Sequence, residues 1–133
     1  MARTFSVLLA EDDAALRCCL AEVLSSNGWW VHSVETGPRA VQVARSVRLD
    51  FSILDMHLPG MTGLEVFRTI GAEVGSVPAI LMSGQASRED TAAAVALGFY
   101  TFLRKPLELG AFRHSLDRLV RHYFGAPRLP ELR

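Results

Sequence analysis

Four short stretches of this chain carry side chains able to do chemistry, and each lies at the end of an apolar run. Glu11, Asp12 and Asp13 follow "FSVLLA", and Asp55 follows "FSIL". Ser83 and Gly84 follow "PAILM", and Arg104, Lys105 and Pro106 follow "YTFL". Two like charges about 4 Å apart cost roughly 4 kcal/mol at an effective dielectric of about 20. Acids brought together must therefore rise in pKa or share a cation. Oxygen donors supplied by few protein groups suit Mg²⁺ or Mn²⁺, which keep several waters. A lysine and a hydroxyl facing the acids would complete a cradle for phosphoryl oxygens. Asp55 then stands as a nucleophile toward phosphorus, forming an aspartyl phosphate.

That chemistry needs a scaffold that brings these ends together. Strand-like and helix-like patterns alternate along the chain. "FSVLLA", "WWVHSV", "FSIL", "PAILM" and "YTFL" are the strand runs. They are continuously apolar, as expected of strands covered on both faces. Between them, apolar residues recur at helical spacing, as with Leu16, Leu20, Val23 and Leu24. Asn27-Gly28 closes the first helix, and Pro38 marks the first residue of the second. Thr62 with Glu65, and Ser87 with Asp90, are capping patterns. Leu109, Phe112, Leu116, Leu119, Val120 and Tyr123 line one side of a last helix. Strand-then-helix units predict an α/β fold with a parallel sheet. In such sheets ligands bind beyond the carboxyl ends of the strands, where the chemical residues stand.

Composition narrows the class. The 133 residues fit one domain, half of them hydrophobic, with a formal net charge of zero. Bulk charge gives no sign of direct nucleic-acid binding, and no apolar run is long enough to span a bilayer. The N-terminus lacks a signal-peptide plan. Cys18 and Cys19 are adjacent, a poor geometry for a disulfide, and have no partners at zinc spacing. One is expected to pack and the other to face out, in a reducing, cytoplasmic setting.

"LLAEDDAALR", "ILDMHLPGMTG", "AILMSG" and "FLRKP", in this order and spacing, resemble the response regulator receiver domain of bacterial two-component signalling. The resemblance runs from about Phe5 to about Phe124. It implies a flavodoxin-like, doubly wound (βα)5 fold with a five-stranded parallel sheet in the order 2-1-3-4-5. It implies a receiver domain over residues 1–124 and a tail or linker stub over 125–133. Asp55 would accept the phosphoryl group. Asp12 would ligate Mg²⁺ (or Mn²⁺) directly and Glu11 through water, with Asp55 and the main-chain carbonyl of His57 as further ligands. Arg17 is the arginine of the acidic motif. Ser83 would bond a phosphoryl oxygen, Gly84 would leave room for it, and Lys105 would pair with it. Phe102 takes the aromatic switch position in place of the commoner Tyr. Pro59 and Gly63 would shape the loop after the acceptor, and Lys105-Pro106 would be cis. His57 and Gln85 sit where the family tunes phosphoryl lifetime.

The expected function is a phosphorylation-driven switch. A histidine kinase or histidine phosphotransfer protein would donate to Asp55. A downstream protein would read the face of the fourth helix, fifth strand and fifth helix, with a phosphorylation-dependent dimer as one output. Beyond its own phosphorylation and dephosphorylation the domain would turn over no substrate. A receiver cut from a longer DNA-binding regulator of nitrogen-fixation type, and a constitutive interaction module, are the alternatives. Phe99 and Tyr100 are expected as a partner-docking patch, and Trp29 and Trp30 as one in and one out on an edge strand. From Arg104 to Arg133 basic residues exceed acidic ones by four, which reads as a solvated basic face.

Overall fold

The computed structural model describes residues 3–125 apart from Ala86. The proposed tail, beyond Gly125, lies outside the described residues. The elements are β1 (Ser6–Ala10), α1 (Ala14–Ser25), β2 (Trp30–Val34), α2 (Gly37–Ser46), β3 (Phe51–Asp55), α3 (Gly63–Glu73), β4 (Ala79–Ser83), α4 (Arg88–Leu97), β5 (Thr101–Arg104) and α5 (Leu109–Phe124). The five strands form one sheet in the order β2-β1-β3-β4-β5, every pair parallel. This is the expected flavodoxin-like arrangement. No described helix is long and apolar enough to cross a membrane.

Local signals set the helix starts. Asp13 caps α1 by accepting the Leu16 N–H, and Thr36 caps α2 by accepting that of Arg39. Pro38 stands second in α2, after Gly37, one place later than the sequence suggests. Both capping boxes form: Thr62 with Glu65 on α3, and Ser87 with Asp90 on α4. Each satisfies two backbone donors that a bare helix start leaves open. Glu108 caps α5 by accepting from Gly110 and Ala111, a start that no capping pattern announced.

Burial explains the continuous apolar runs. Every residue of β3 and β4 is buried, because helices cover both faces of the sheet. Leu8, Leu54 and Leu81 face α2, α3 and α4 with Val41, Val66 and Ile70. Val7, Ile53 and Ile80 face α1 and α5 with Leu20, Phe112 and Leu119. Phe112 is fully buried, so truncating it to alanine costs about 3–5 kcal/mol. Trp29 is buried against Phe5 and Phe51 in edge-to-face contact, while Trp30 is 69% exposed. The line proposed for the last helix holds at Phe112, Leu116, Leu119 and Val120. It fails at Leu109 and Tyr123, which are exposed; at the C-terminal end of α5 it is Phe124 that packs on the core, against Phe5 and Phe51.

Candidate phosphoryl-acceptor site

Parallel register brings the chemical residues to one edge. Ala10 pairs with Leu54, Asp55 with Met82, and Ser83 with Arg104. Glu11 therefore leaves β1 beside the end of β3, where Asp55 stands, and Lys105 leaves β5 beside Ser83. Glu11, Asp55 and Ser83 are all buried, whereas Asp12 is exposed.

Lys105 joins the two buried acids. Its Nζ donates to Asp55 Oδ2 at 3.1 Å and lies 2.6 Å from Glu11 Oε1. The second contact is close but poorly directed, so Glu11 Oε1 has no aligned hydrogen-bond donor. Glu11 Oε2 accepts the Asp13 N–H at 3.0 Å. Burial raises the Glu11 pKa, with Asp55 adding to it, and the close Lys105 ammonium and the bond from the Asp13 backbone offset part of the rise. For Lys105, burial alone would lower the pKa, but its close contact with Glu11 and its bond to Asp55 outweigh that and raise it. The lysine is thus held as a cation between two acids.

The surroundings fix this arrangement. Arg17 donates to the main-chain carbonyls of Glu11 at 2.8 Å and Asp12 at 3.4 Å, and so clamps the acidic pair from α1. Spacing places Arg17 in the acidic motif but does not reveal the clamp, which depends on how α1 folds back over the β1 end. His57 donates its N–H to Asp55 Oδ1 at 3.3 Å, and its own side chain is exposed. The Gln85 N–H donates to Ser83 Oγ at 3.2 Å, while the Gln85 side chain faces solvent. A Cβ on Gly84 would meet nothing nearer than Lys105 Cβ at 3.7 Å, so space beside Ser83 is open.

The loop from Met56 to Thr62 is tied at several points. The Gly63 N–H bonds the Met56 carbonyl at 2.8 Å, and His57 bridges Thr62. Gly63 has no room for a side chain, because a Cβ would collide with the Asp55 carbonyl. The Gly37 N–H, at the start of α2, bonds the Pro59 carbonyl at 3.0 Å. A Cβ on Gly60 would come within 2.8 Å of Pro38. No local motif announces this seat on α2; only the tertiary approach of two loops shows it. The Lys105-Pro106 bond is cis, as expected.

Two expected sites look different in place. Phe102 is half-buried and packs against the core on the α4 side. Phe99 does not share an exposed patch with Tyr100. It is 7% exposed and stacks on Phe67, ring centroids 4.1 Å apart, because the turn after α4 directs it under α3. Tyr100 points to the other side of the sheet, where it meets His122 and Tyr123.

Glu11, Asp12 and Asp55 each place a carboxylate oxygen within 4.8 Å of the others. Hard oxygen donors in this number, one of them a buried oxygen without a directed donor, fit a small divalent cation such as Mg²⁺. Asp12 and Asp55 would hold it, with Glu11 behind them.

The family model for the response regulator receiver domain matches residues 7–117. The chain is 31% identical over 115 residues to the cell cycle response regulator CtrA of Brucella ovis, covering 84% of this chain and 50% of that protein. It thus spans about half the length of the curated relatives it matches. Among solved structures, a CheY-like receiver domain protein from Methanospirillum hungatei JF-1 superposes with a TM-score of 0.85 at 18% identity, over 91% of this chain and 97% of that one. The receiver domain of sensor histidine kinase PA1611 from Pseudomonas aeruginosa PAO1, which has a magnesium ion coordinated in its active site cleft, gives 0.77 at 27% identity, over 93% and 100%. With the receiver family model covering most of its length and the sheet order that fold requires, the chain belongs to the response regulator receiver domains of two-component signalling.

Proposed function

We propose that Asp55 accepts a phosphoryl group from a histidine kinase or histidine phosphotransfer protein and thereby switches the partner-binding face of this domain. The observation that carries this reading is the Lys105 ammonium bridging buried Glu11 and Asp55 at the mouth of a central strand. β3, covered on both faces, holds the nucleophile more rigidly than a loop would. Asp55 Oδ2 is engaged by Lys105, and Oδ1 has only the long bond from His57, so Oδ1 is the freer nucleophile. As it bonds phosphorus, the P–N bond of the donor breaks and its electron pair returns to the donor nitrogen. A bound Mg²⁺ would supply charge neutralisation at the phosphoryl oxygens.

Lys105 would then move its ammonium onto the new anion, and Ser83 would offer its hydroxyl to a phosphoryl oxygen. Drawing Ser83 toward the phosphate favours one of two packings around Phe102. The face that reads this out is α4, β5 and α5. There Arg88, Val95 and Arg104 line an open cleft of ≈ 590 Å³, and Val95 is 71% exposed. Tyr100 remains available to that role at its edge; Phe99 supports it from beneath. His57 and Gln85, both exposed beside the acceptor, set how fast water removes the phosphoryl group.

Incubation with acetyl phosphate and Mg²⁺, followed by intact mass, tests the assignment. A single phosphoryl addition that is lost without Mg²⁺ and absent in Asp55→Asn supports it. No addition to folded protein would leave a constitutive binding module.

A second reading concerns the setting of the domain. Curated relatives are about twice the matched length, so the chain also fits the receiver module of a longer regulator. An open reading frame continuing past Arg133 would favour it.

A further inference from the structure

The three clustered acids do not hold their carboxylates in the same way. Glu11 is held by Lys105 and by the Asp13 N–H. Asp55 is held by the covered strand β3, by Lys105 and by the His57 N–H. Asp12 is exposed, and among the described residues its carboxylate makes no hydrogen bond and no ion pair. Its direction is therefore set by its own main chain.

That main chain is held by Arg17. Its Nη1 donates to the Glu11 carbonyl at 2.8 Å and, more weakly, to the Asp12 carbonyl at 3.4 Å. Among the described residues no other side chain bonds either oxygen. Its Nη2 lies 3.8 Å from Glu35, the residue after Val34 at the end of β2. The Val34 carbonyl in turn accepts the Glu11 N–H at 3.0 Å. The peptide groups on both sides of Glu11 are thus pinned, one by β2 and one by Arg17. Arg17 is itself steadied, because its N–H bonds the Asp13 carbonyl at 2.9 Å in the turn that Asp13 caps.

The charge of Arg17 has the wrong sign for a cation site. A guanidinium behind two acids opposes the binding of a divalent ion to them. Glu35 offsets this only in part, because its side chain is 68% exposed and its contact is long. What favours an arginine here is geometry. Its planar fork fixes the directions of its donors, whereas a lysine ammonium on a flexible stem does not. We infer, on the reading of Glu11, Asp12 and Asp55 as a Mg²⁺ site, that Arg17 is a positioning residue for the cation: it holds the Glu11–Asp12 main chain so that the Asp12 carboxylate stays within reach of Asp55. Mg²⁺ demands near-ideal octahedral geometry, with oxygens at about 2.0–2.1 Å, so a small turn of the Asp12 peptide is felt as lost affinity. Groups that orient metal ligands without touching the metal change its affinity about 10–100-fold when removed.

Mg²⁺ titrations followed by amide NMR, without phosphodonor, test this on the parent chain, on Arg17→Gln and on Arg17→Lys. Charge and positioning predict different outcomes. Loss of a positive charge alone would tighten Mg²⁺ in Arg17→Gln and leave Arg17→Lys like the parent. Loss of the fork should raise the Kd about tenfold or more in both variants. Spectra in a chelator show whether each metal-free variant keeps its fold. Arg17→Lys, which keeps the charge and the long stem, decides the matter if Arg17→Gln does not fold. A Kd in Arg17→Lys equal to the parent's, or one in Arg17→Gln below it, would overturn the inference and leave the cation site standing. A parent chain that gives no response to Mg²⁺ would overturn both.

Discussion

The ammonium of Lys105 lies 2.6 Å from an oxygen of Glu11 whose side chain is wholly sealed from water. The same ammonium holds Asp55 at 3.1 Å. Removing it leaves two buried carboxylates facing each other. Lys105→Met should therefore lower the stability of the metal-free protein by about 1–3 kcal/mol. That is less than for a sealed pair, because Lys105 is itself 22% exposed. Urea unfolding in a chelator measures this directly. A midpoint unchanged from the parent would mean that the acids are already protonated or wet.

Of the three groups with shifted pKa, the two in the site act at opposite ends of a pH profile. The Lys105 pKa is raised in the fold, so its contribution is complete below its ordinary 10.5 and is lost as pH climbs through the higher folded value. The Glu11 pKa is raised too, mainly by burial. An acid raised in this way stabilises fully below its ordinary 4.5, and that contribution fades as pH rises through the folded value. Thermal midpoints of the metal-free chain should thus drift down above pH 4.5 and fall again in the alkaline range above 10.5. Lys105→Met should erase the alkaline step attributable to this site and leave other alkaline losses in place.

A divalent cation should reverse the strain of the acid cluster. Mg²⁺ that binds only the folded chain adds about 2.7 kcal/mol at about 100 times its Kd. Asp12→Asn removes the exposed carboxylate of the three and should abolish the gain. Differential scanning fluorimetry with and without Mg²⁺ reads this out, independently of any phosphodonor. An equal gain in both proteins would move the cation elsewhere.

Gly63 marks a place where backbone meets backbone. A Cβ there collides with the carbonyl of Asp55, which a central strand cannot move cheaply. Gly63→Ala should cost about 1–3 kcal/mol, as overpacking does, and slow phosphoryl uptake by displacing the acceptor. Gly71→Ala is the control: it sits on the exposed side of the same helix with open space, and should be neutral or slightly stabilising.

Phe99 and Tyr100 separate a packing role from a docking role. Phe99→Ala should lose about 3 kcal/mol because its ring is buried on Phe67. Tyr100→Ala should lose less, since that ring is half-buried at the margin of α5. Matched chemical denaturation of the two variants compares them, and equal losses would contradict the burial difference.

Much of this was legible in the residues because the controlling interactions are local. Apolar runs, capping patterns and turn residues each act within a few positions, so the β–α alternation and both capping boxes could be read directly. The placing of the acids beside Lys105 followed from knowing that parallel strands share an end. What stayed hidden depends on distant neighbours. Phe99 and Tyr100 look alike as a pair, yet successive residues at a strand entry face opposite sides, and only one meets Phe67. Leu109 and Tyr123 keep helical spacing but stay exposed, while Phe124, one position beyond Tyr123, meets Phe5 and Phe51. The Arg17 clamp and the Gly37 to Pro59 bond join loops that no spacing rule connects.

The Gly37 to Pro59 bond has a consequence for how this chain tolerates change in length. Between Asp55 and Gly63 the backbone is pinned at Met56, at His57 and at Pro59. One residue more or fewer would break at least one pin and shift the rest out of step. The segment therefore acts as a ruler: many side chains could be exchanged along it, but insertions and deletions could not. Homologous stretches of other length would need a differently built start of α2.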